Sequence, residues 1–409
     1  GPIKICSSSD GIEVWKWLGS VWYFVVMSEL HSDPEPTQRL FVSKLSRISW
    51  PLVLLIVLVA CIGFCMLYSA ADGDIEPWAK RQMIRFCAGM VLVLVICIID
   101  IRFWMRCAYL LYAVTLAALV LVEGYGLVGM GAQRWLSLGW VQLQPSELMK
   151  IALIVALAAY FHRKTVEEVG RIKHIIVPLV MAFVPIVLVL RQPDLGTAVM
   201  LGIGAAAVFF VAGTALKYFV MGGALVLAAI PTVWQFLEGY QRDRILTFLN
   251  PDADPLGSGY HILQSKIALG SGGLLGRGYM QGTQSHLSFL PEHQTDFIFT
   301  MLAEELGMVG ALFLIGLYTA IFIYGFIIAA RCSNQFGRLL AAGLTTTLFL
   351  YVYINIAMVI GLIPVVGVPL PLISYGGSAM MTVLFALGLL MCVFVHRDTQ
   401  ISRSKSQEF

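Results

Sequence analysis

The sequence predicts an all-α polytopic membrane protein of about ten transmembrane helices, with one long loop on the outer side. Three observations carry that prediction. Of the 409 residues, 59% are hydrophobic and only 12% are charged, against about 45–50% and about 25% in soluble domains. The mean hydropathy is +0.83 over the whole chain, more apolar surface than a protein core can shelter, so lipid must solvate much of it. The few charged residues also fall at intervals that leave apolar runs of spanning length. At roughly 20 residues per span the chain has room for about eight to twelve spans and no large soluble domain. The formal charge of +3 is too small, and the basic residues too dispersed, for a nucleic-acid partner.

Charge-free intervals define the spans in order. Arg47 to Asp72, Arg85 to Asp100 and Arg106 to Glu123 bracket the first three, and Leu148 to His162 is a weaker fourth that follows Glu147 and contains Lys150. Lys173 to Arg191, Asp194 to Lys217 and Lys217 to Glu238 bracket the fifth to seventh, and Glu305 to Arg331 the eighth. Leu339 to His396 carries no Asp, Glu, Lys or Arg. It is too long for one helix and is broken by the Pro/Gly-rich run Pro364 to Gly377, which makes two spans. The shorter intervals rely on flanking Lys and Arg snorkelling outward.

Residues 1–26 read as an upstream extension, 27–47 as a cytoplasmic leader, 48–397 as the membrane domain with its long outer loop at about 235–296, and 398–409 as a cytoplasmic tail. Lys and Arg favour the cytoplasmic side of short loops. Arg102, Arg106, Arg163, Lys164, Arg171, Lys173, Arg331 and Arg338 therefore set the inner face and place both termini inside. The eight cysteines show no metal-binding spacing and none falls in an outer loop, so they are expected to be buried thiols without external disulfides.

Polar residues near membrane depth are costly unless they face a cavity or a partner, so function is sought there. Four outer clusters qualify. GAQRW (131–135) precedes QPSELMK (144–150), which sets Glu147 and Lys150 on one helical face; a structural ion pair is the plain alternative. RQPDLG (191–196) is a charged turn in which Asp194 could simply cap a helix. The long loop begins with two amphipathic stretches, from Tyr240 and from Gly259. The second ends in the glycine run Gly270 to Gly278, which lacks the Gly-Lys-[Ser/Thr] of a nucleotide loop and reads as flexible turns. The loop closes on FLPEHQTDF (289–297), where Asp296 beside Phe297 sits at the water–lipid boundary, a place for a general base or for an ordinary N-cap. The fourth cluster, Gly361 to Ser378, is an uncharged Pro/Gly stretch that must line protein or water if it dips into the membrane.

In this order the blocks GAQRW, QPSELMK, RQPDLGTA, SGYHILQSKIALGSGG, GTQSHLSFLPEHQTDFIFTMLAEELG and GLIPVVGVPLPLISYGGSA resemble the SEDS family of membrane glycosyltransferases over about Leu40 to Arg397, on the elongation (RodA) side rather than the division (FtsW) side. One departure is visible: the family often has His two residues before the Asp, whereas this chain has Gln294 there and His293 one position earlier.

The resemblance implies polymerisation of lipid II into glycan strands at the outer face of the bacterial cytoplasmic membrane, in cell elongation and shape maintenance, with Asp296 as the catalytic base. Substrate contacts are expected from Arg134, Gln144, Ser146, Glu147, Lys150, Gln192, Asp194, Lys266, Glu292 and Ser374. Arg134, Arg191, Arg242, Arg244, Lys266 and Arg277 are the candidate cations for the leaving pyrophosphate. No resident cofactor is expected, and a divalent cation is compatible with the chemistry. The implied partners are a class B penicillin-binding protein and other membrane proteins of the elongation complex. The alternatives are a flippase or transporter for lipid-linked precursors, which would want its charges near the midplane, and a non-catalytic cell-wall scaffold.

Overall fold

The computed structural model describes residues 47–129, 132–137, 142–236, 239–250, 258–282 and 294–401. The expectations for residues 1–46 and for most of the tail lie outside them. The helices are α1 (Trp50–Ala70), α2 (Ala79–Ile98), α3 (Ile101–Tyr125), α4 (Pro145–His162), the short α5 (Val166–Val169), α6 (Ile172–Arg191), α7 (Leu195–Ala212), α8 (Leu216–Phe236), α9 (Gly239–Leu249), α10 (Ser258–Ser271), α11 (Ile298–Arg331), α12 (Gln335–Ile360) and α13 (Gly377–Val395).

Among the described residues nine helices are long and apolar enough to cross a membrane. The interval expected to hold the seventh span, Lys217 to Glu238, does form helix α8, but its apolar part is the shorter Leu216–Thr232, and it contains Pro231. The protein is an integral membrane protein, all-α except for a small antiparallel sheet that the sequence reading did not foresee. Its strands are β1 (Leu127–Gly129), β2 (Ala132–Ser137) and β3 (Gln142–Leu143), in order β1-β2-β3. Leu127 pairs with Trp135 and Leu136 with Leu143, so Ala132 to Trp135 of the GAQRW block lie in the central strand.

The centre of the bundle is α4, α7, α12 and α13. Small residues let the backbones approach, as they do where lipid gives helices no hydrophobic drive to associate. Gly343 of α12 lies against Ile154 of α4 and Val208 of α7, and Gly89 of α2 lies against Leu384 of α13. The cysteines divide. Cys97, Cys332 and Cys392 are buried, whereas Cys61, Cys65 and Cys87 are exposed on the outer surfaces of α1 and α2, against the expectation of burial, because those faces meet lipid; all the described cysteines are free thiols.

Helix α11 is longer than its charge-free interval because it starts at Ile298 and carries Glu304 and Glu305 inside it, both buried. It is broken at Gly307 (φ 67°, ψ −166°). The glycine run Gly270 to Gly278, expected as flexible turns, instead clasps this break backbone to backbone. Arg277 N donates to Glu304 O (3.0 Å), Gly278 N to Glu305 O (3.1 Å), Met308 N to Gly273 O (3.0 Å) and Val309 N to Leu274 O (3.1 Å). These bonds satisfy the groups that the break frees, as backbone at membrane depth requires. Only glycine fits: a Cβ at Gly276 would lie 2.1 Å from Glu305 O, and one at Gly307 would lie 2.3 Å from Gly276 N. Tyr279 closes the clasp onto α1 by donating to Cys65 O (2.7 Å). Its hydroxyl is pushed up to about 12, first by burial of that end and then by Cys65, Glu305 and Tyr68.

Candidate active site

The outer ends of these elements bring the separate sequence blocks together. Proline at the first turn of α4 starts the helix, and one turn later Lys150 Nζ meets Glu147 Oε1 at 2.7 Å. Both are buried, at 2% and 5% exposure. Tyr351 of α12 completes the group: its hydroxyl donates to Glu147 Oε2, and Lys150 Nζ sits 4.1 Å from its ring centroid. A buried charge pair survives when its remaining lone pairs and protons are satisfied, and Tyr351 does both. Ser146 is buried beside it, and Gln144 is the N-cap residue.

One turn along α12 from Tyr351, Asn355 holds the backbone of the proposed base. Its Nδ2 donates to Asp296 O (2.9 Å) and to Val368 O (2.7 Å). Ser374 accepts from Leu370 N (2.7 Å) and donates to Thr295 O (2.6 Å), and Tyr375 N donates to Gln294 O (2.9 Å). The Gln294–Asp296 backbone is thus pinned by the Pro/Gly-rich loop on one side and by α12 on another. A Cβ at Gly367 would lie 3.3 Å from Asp296 Oδ2, so the loop passes close to that carboxyl group. The N-cap of α11 is Phe297, buried and without a side-chain capping bond of its own, and Asp296 stands one residue before it. Position 294, where the chain departs from the SEDS pattern, contributes a backbone carbonyl to this network.

The RQPD turn is fixed from two directions. Arg134 of β2 donates through Nε to Gln192 O (3.0 Å) and through Nη2 to Pro193 O. Gln192 Nε2 donates to Leu119 O (3.0 Å). Asp194 caps α7 by accepting from Thr197 N (3.1 Å) and Thr197 Oγ1 (2.9 Å), which is the plainer of its two expected roles. Gly196 then abuts Val366 and Val368, joining this turn to the loop that holds Asp296.

Of the other predicted residues, Lys266 is exposed on α10, while its neighbour Ser265 faces inward and hydrogen-bonds Thr300 Oγ1 and Val359 O, both at 2.8 Å. Glu292 lies outside the described residues, as does the side chain of Arg244. Arg191 is at the surface 3.6 Å from Glu123, Arg242 donates to Gln235 O (2.7 Å), and Arg277 is exposed in the clasp. Among the described residues no group of three His, Cys, Asp or Glu is arranged to hold a metal ion.

Sequence reading missed Tyr351 and Asn355: their spacing of four in a charge-free helix puts them on one face, but nothing local says what that face meets. It also missed Gln82, whose Nε2 donates to Ser374 O (2.9 Å), and Arg85, one turn on. Arg85 lies 5.0 Å from the Tyr375 ring centroid with its Nη1 buried and unpartnered, a cation at the back of the loop that holds Asp296.

Residues 46–399 match the FtsW/RodA/SpoVE family of cell cycle proteins. The chain belongs to this family. It is 44% identical over 348 residues to the peptidoglycan glycosyltransferase MrdB of Escherichia coli K12, covering 85% of this chain and 94% of MrdB. A chain from a structure on the structural coordination of polymerization and crosslinking by a peptidoglycan synthase complex matches with TM-score 0.76 and 32% identity, over 86% of this chain and 99% of that one. The crystal structure of the rod shape determining protein RodA of Thermus thermophilus matches with TM-score 0.66 and 30% identity, over 86% and 98%. Within the FtsW/RodA/SpoVE family the chain is of the RodA type.

Proposed function

We propose that this chain, a peptidoglycan glycosyltransferase of cell elongation, polymerises lipid II with Asp296 as general base. The acceptor sugar's 4-hydroxyl gives its proton to the Asp296 carboxylate, and its oxygen attacks the donor's anomeric carbon. The bond from that carbon to the lipid pyrophosphate breaks with inversion, and the pyrophosphate departs. This is the transfer counterpart of the inverting glycosidase base, with a sugar hydroxyl in place of water. The donor carries its own activation, so no nucleotide is required.

The observation that carries this reading is the convergence on Asp296: Asn355 and the Pro/Gly-rich loop hold the backbone at and beside it, the RQPD turn packs against that loop, and Tyr351, which joins Glu147 and Lys150, lies one turn along α12 from Asn355. A rigid backbone around the base is what near-attack geometry needs. Glu147 and Lys150 are well placed to anchor a polar head group. We place the active face outside the cytoplasmic membrane and both termini inside, from the Lys and Arg asymmetry. A class B penicillin-binding protein is the expected partner, supported by the synthase-complex neighbour.

The test is to incubate the purified chain with lipid II, alone and with a class B penicillin-binding protein, and to resolve the products on a polymerisation gel. Glycan polymer is expected. Lipid II crossing a vesicle bilayer with no polymer formed would establish a flippase instead.

A further inference from the structure

At the opposite end of the bundle from Asp296, the inner end in the orientation proposed above, α11 and α13 diverge and leave a cavity of about 260 Å³ lined by Tyr324, Ile327, Ile328, Arg331, Phe394 and Arg397. The walls are apolar and aromatic, with the Tyr324 and Phe394 rings 6.3 Å apart, and the two cations are arginines at the helix ends. Beside the cavity the surface is lipid-facing: Ile323, Phe326 and Ile327 are exposed hydrophobics on α11.

The site is built rather than incidental. Arg397 is held by its backbone, its carbonyl accepting from Ser333 N (3.0 Å). The residues after it are clamped by Asn334 Nδ2 to Thr399 O (3.2 Å) and by Arg102 Nη2 to Gln400 O (3.1 Å). Its guanidinium stands 5.0 Å from the Phe394 ring centroid. Tyr324 is fixed from α1 by Ser49, which donates to its hydroxyl at 2.8 Å. Asp398 neutralises Arg397 in part, at 3.7 Å and largely in solvent. Arg331 has no acidic partner among the described residues, so the pocket keeps a net positive charge.

We propose that this cavity binds one anionic phospholipid of the inner leaflet, its phosphate between Arg331 and Arg397 and the start of an acyl chain against Ile327, Ile328 and Phe394. Two guanidinium groups above an apolar slot at the end of two membrane helices match a molecule that is anionic at one end and hydrocarbon at the other, and basic pockets between membrane helices bind acidic lipid head groups in this way. A zwitterionic lipid would bring its own ammonium toward two guanidinium groups and leave their charge uncompensated, and a water-soluble anion would leave the apolar walls unfilled. The lipid would bridge α11, which carries the helix break and begins two residues after Asp296, to α13.

Native mass spectrometry of the purified full chain tests this, with phosphatidylglycerol or phosphatidylcholine of the same acyl chains added in turn. Phosphatidylglycerol should be retained in preference to phosphatidylcholine. The double variant Arg331→Gln/Arg397→Gln should lower its retention about tenfold or more while leaving retention of phosphatidylcholine unchanged. Ile327→Trp, which narrows the slot and keeps both charges, should lower it as well, and it covers the case in which the double variant fails to fold. Glycerol phosphate, the head group without chains, should not compete. Equal retention of the two lipids, phosphatidylglycerol retention unchanged in both variants, or competition by glycerol phosphate would each overturn the proposal.

Discussion

Helices α4 and α6 run side by side in this fold and obey opposite logic. The 18-residue window of α4 has a mean hydropathy of only 1.2 and is 89% buried, whereas that of α6 has a mean hydropathy of 2.4 and is 28% buried. In water the more apolar helix would be the inner one. In lipid the hydrocarbon solvates Leu, Ile and Val as well as a protein interior does, so what drives a helix inward is polar groups needing partners and small residues allowing close packing. Glu147, Lys150, Ser146 and His162 are on α4 and all are buried; α6 offers Leu179, Val180 and Phe183 to the surface. The least hydrophobic span is therefore the one that builds the site.

Changes on the two kinds of surface should differ sharply. The largest effect is expected for Lys150→Met, which keeps most of the volume and leaves Glu147 a buried, unpaired carboxylate at a cost of about 3–5 kcal/mol; the thermal midpoint and polymerisation should both collapse. Adding Glu147→Gln should restore the midpoint without restoring polymer. If polymer returns too, the pair is structural and binds no substrate.

An intermediate effect is expected at the clasp. Gly307→Ala must place a Cβ at φ 67°, against Gly276 N, and should cost roughly 1–3 kcal/mol in backbone strain alone, read as a lower thermal midpoint in detergent. An unchanged midpoint would mean that the break is not locked by its glycines. The smallest effect is expected on a lipid-facing surface: Leu225→Ala, at a position 71% exposed on α8, should shift stability by less than about 0.5 kcal/mol, whereas Leu153→Ala in the buried core of α4 should cost about 2–5 kcal/mol. Similar losses at the two positions would show that burial in the bundle does not separate them.

The spans were legible in the sequence because lipid makes charge expensive, so intervals without Asp, Glu, Lys or Arg mark helices directly. The site blocks were legible because polar residues at membrane depth are too costly to be casual. Three things were not legible, each for a physical reason. The β1-β2-β3 sheet depends on pairing between short segments whose register only the tertiary fold sets. The glycine run was read by composition, as flexible, although its bonds to the broken α11 make it a fixed backbone-to-backbone contact that no local pattern announces. Tyr351 and Asn355 look like ordinary residues of an apolar helix until α12 is packed against α4 and the loop bearing Asp296, since their roles come from partners roughly 200 and 60 positions away in the chain.

The measurement that bears most directly on the mechanism is lipid II polymerisation by Asp296→Asn. Asparagine is nearly isosteric and leaves the backbone carbonyl that Asn355 grips, so the variant should keep the wild-type thermal midpoint. Loss of a general base commonly costs about 10²–10⁴ in rate, and no glycan polymer should appear on the gel over the time in which wild type consumes its lipid II. Polymer formed by Asp296→Asn at a rate near wild type would remove Asp296 as the base.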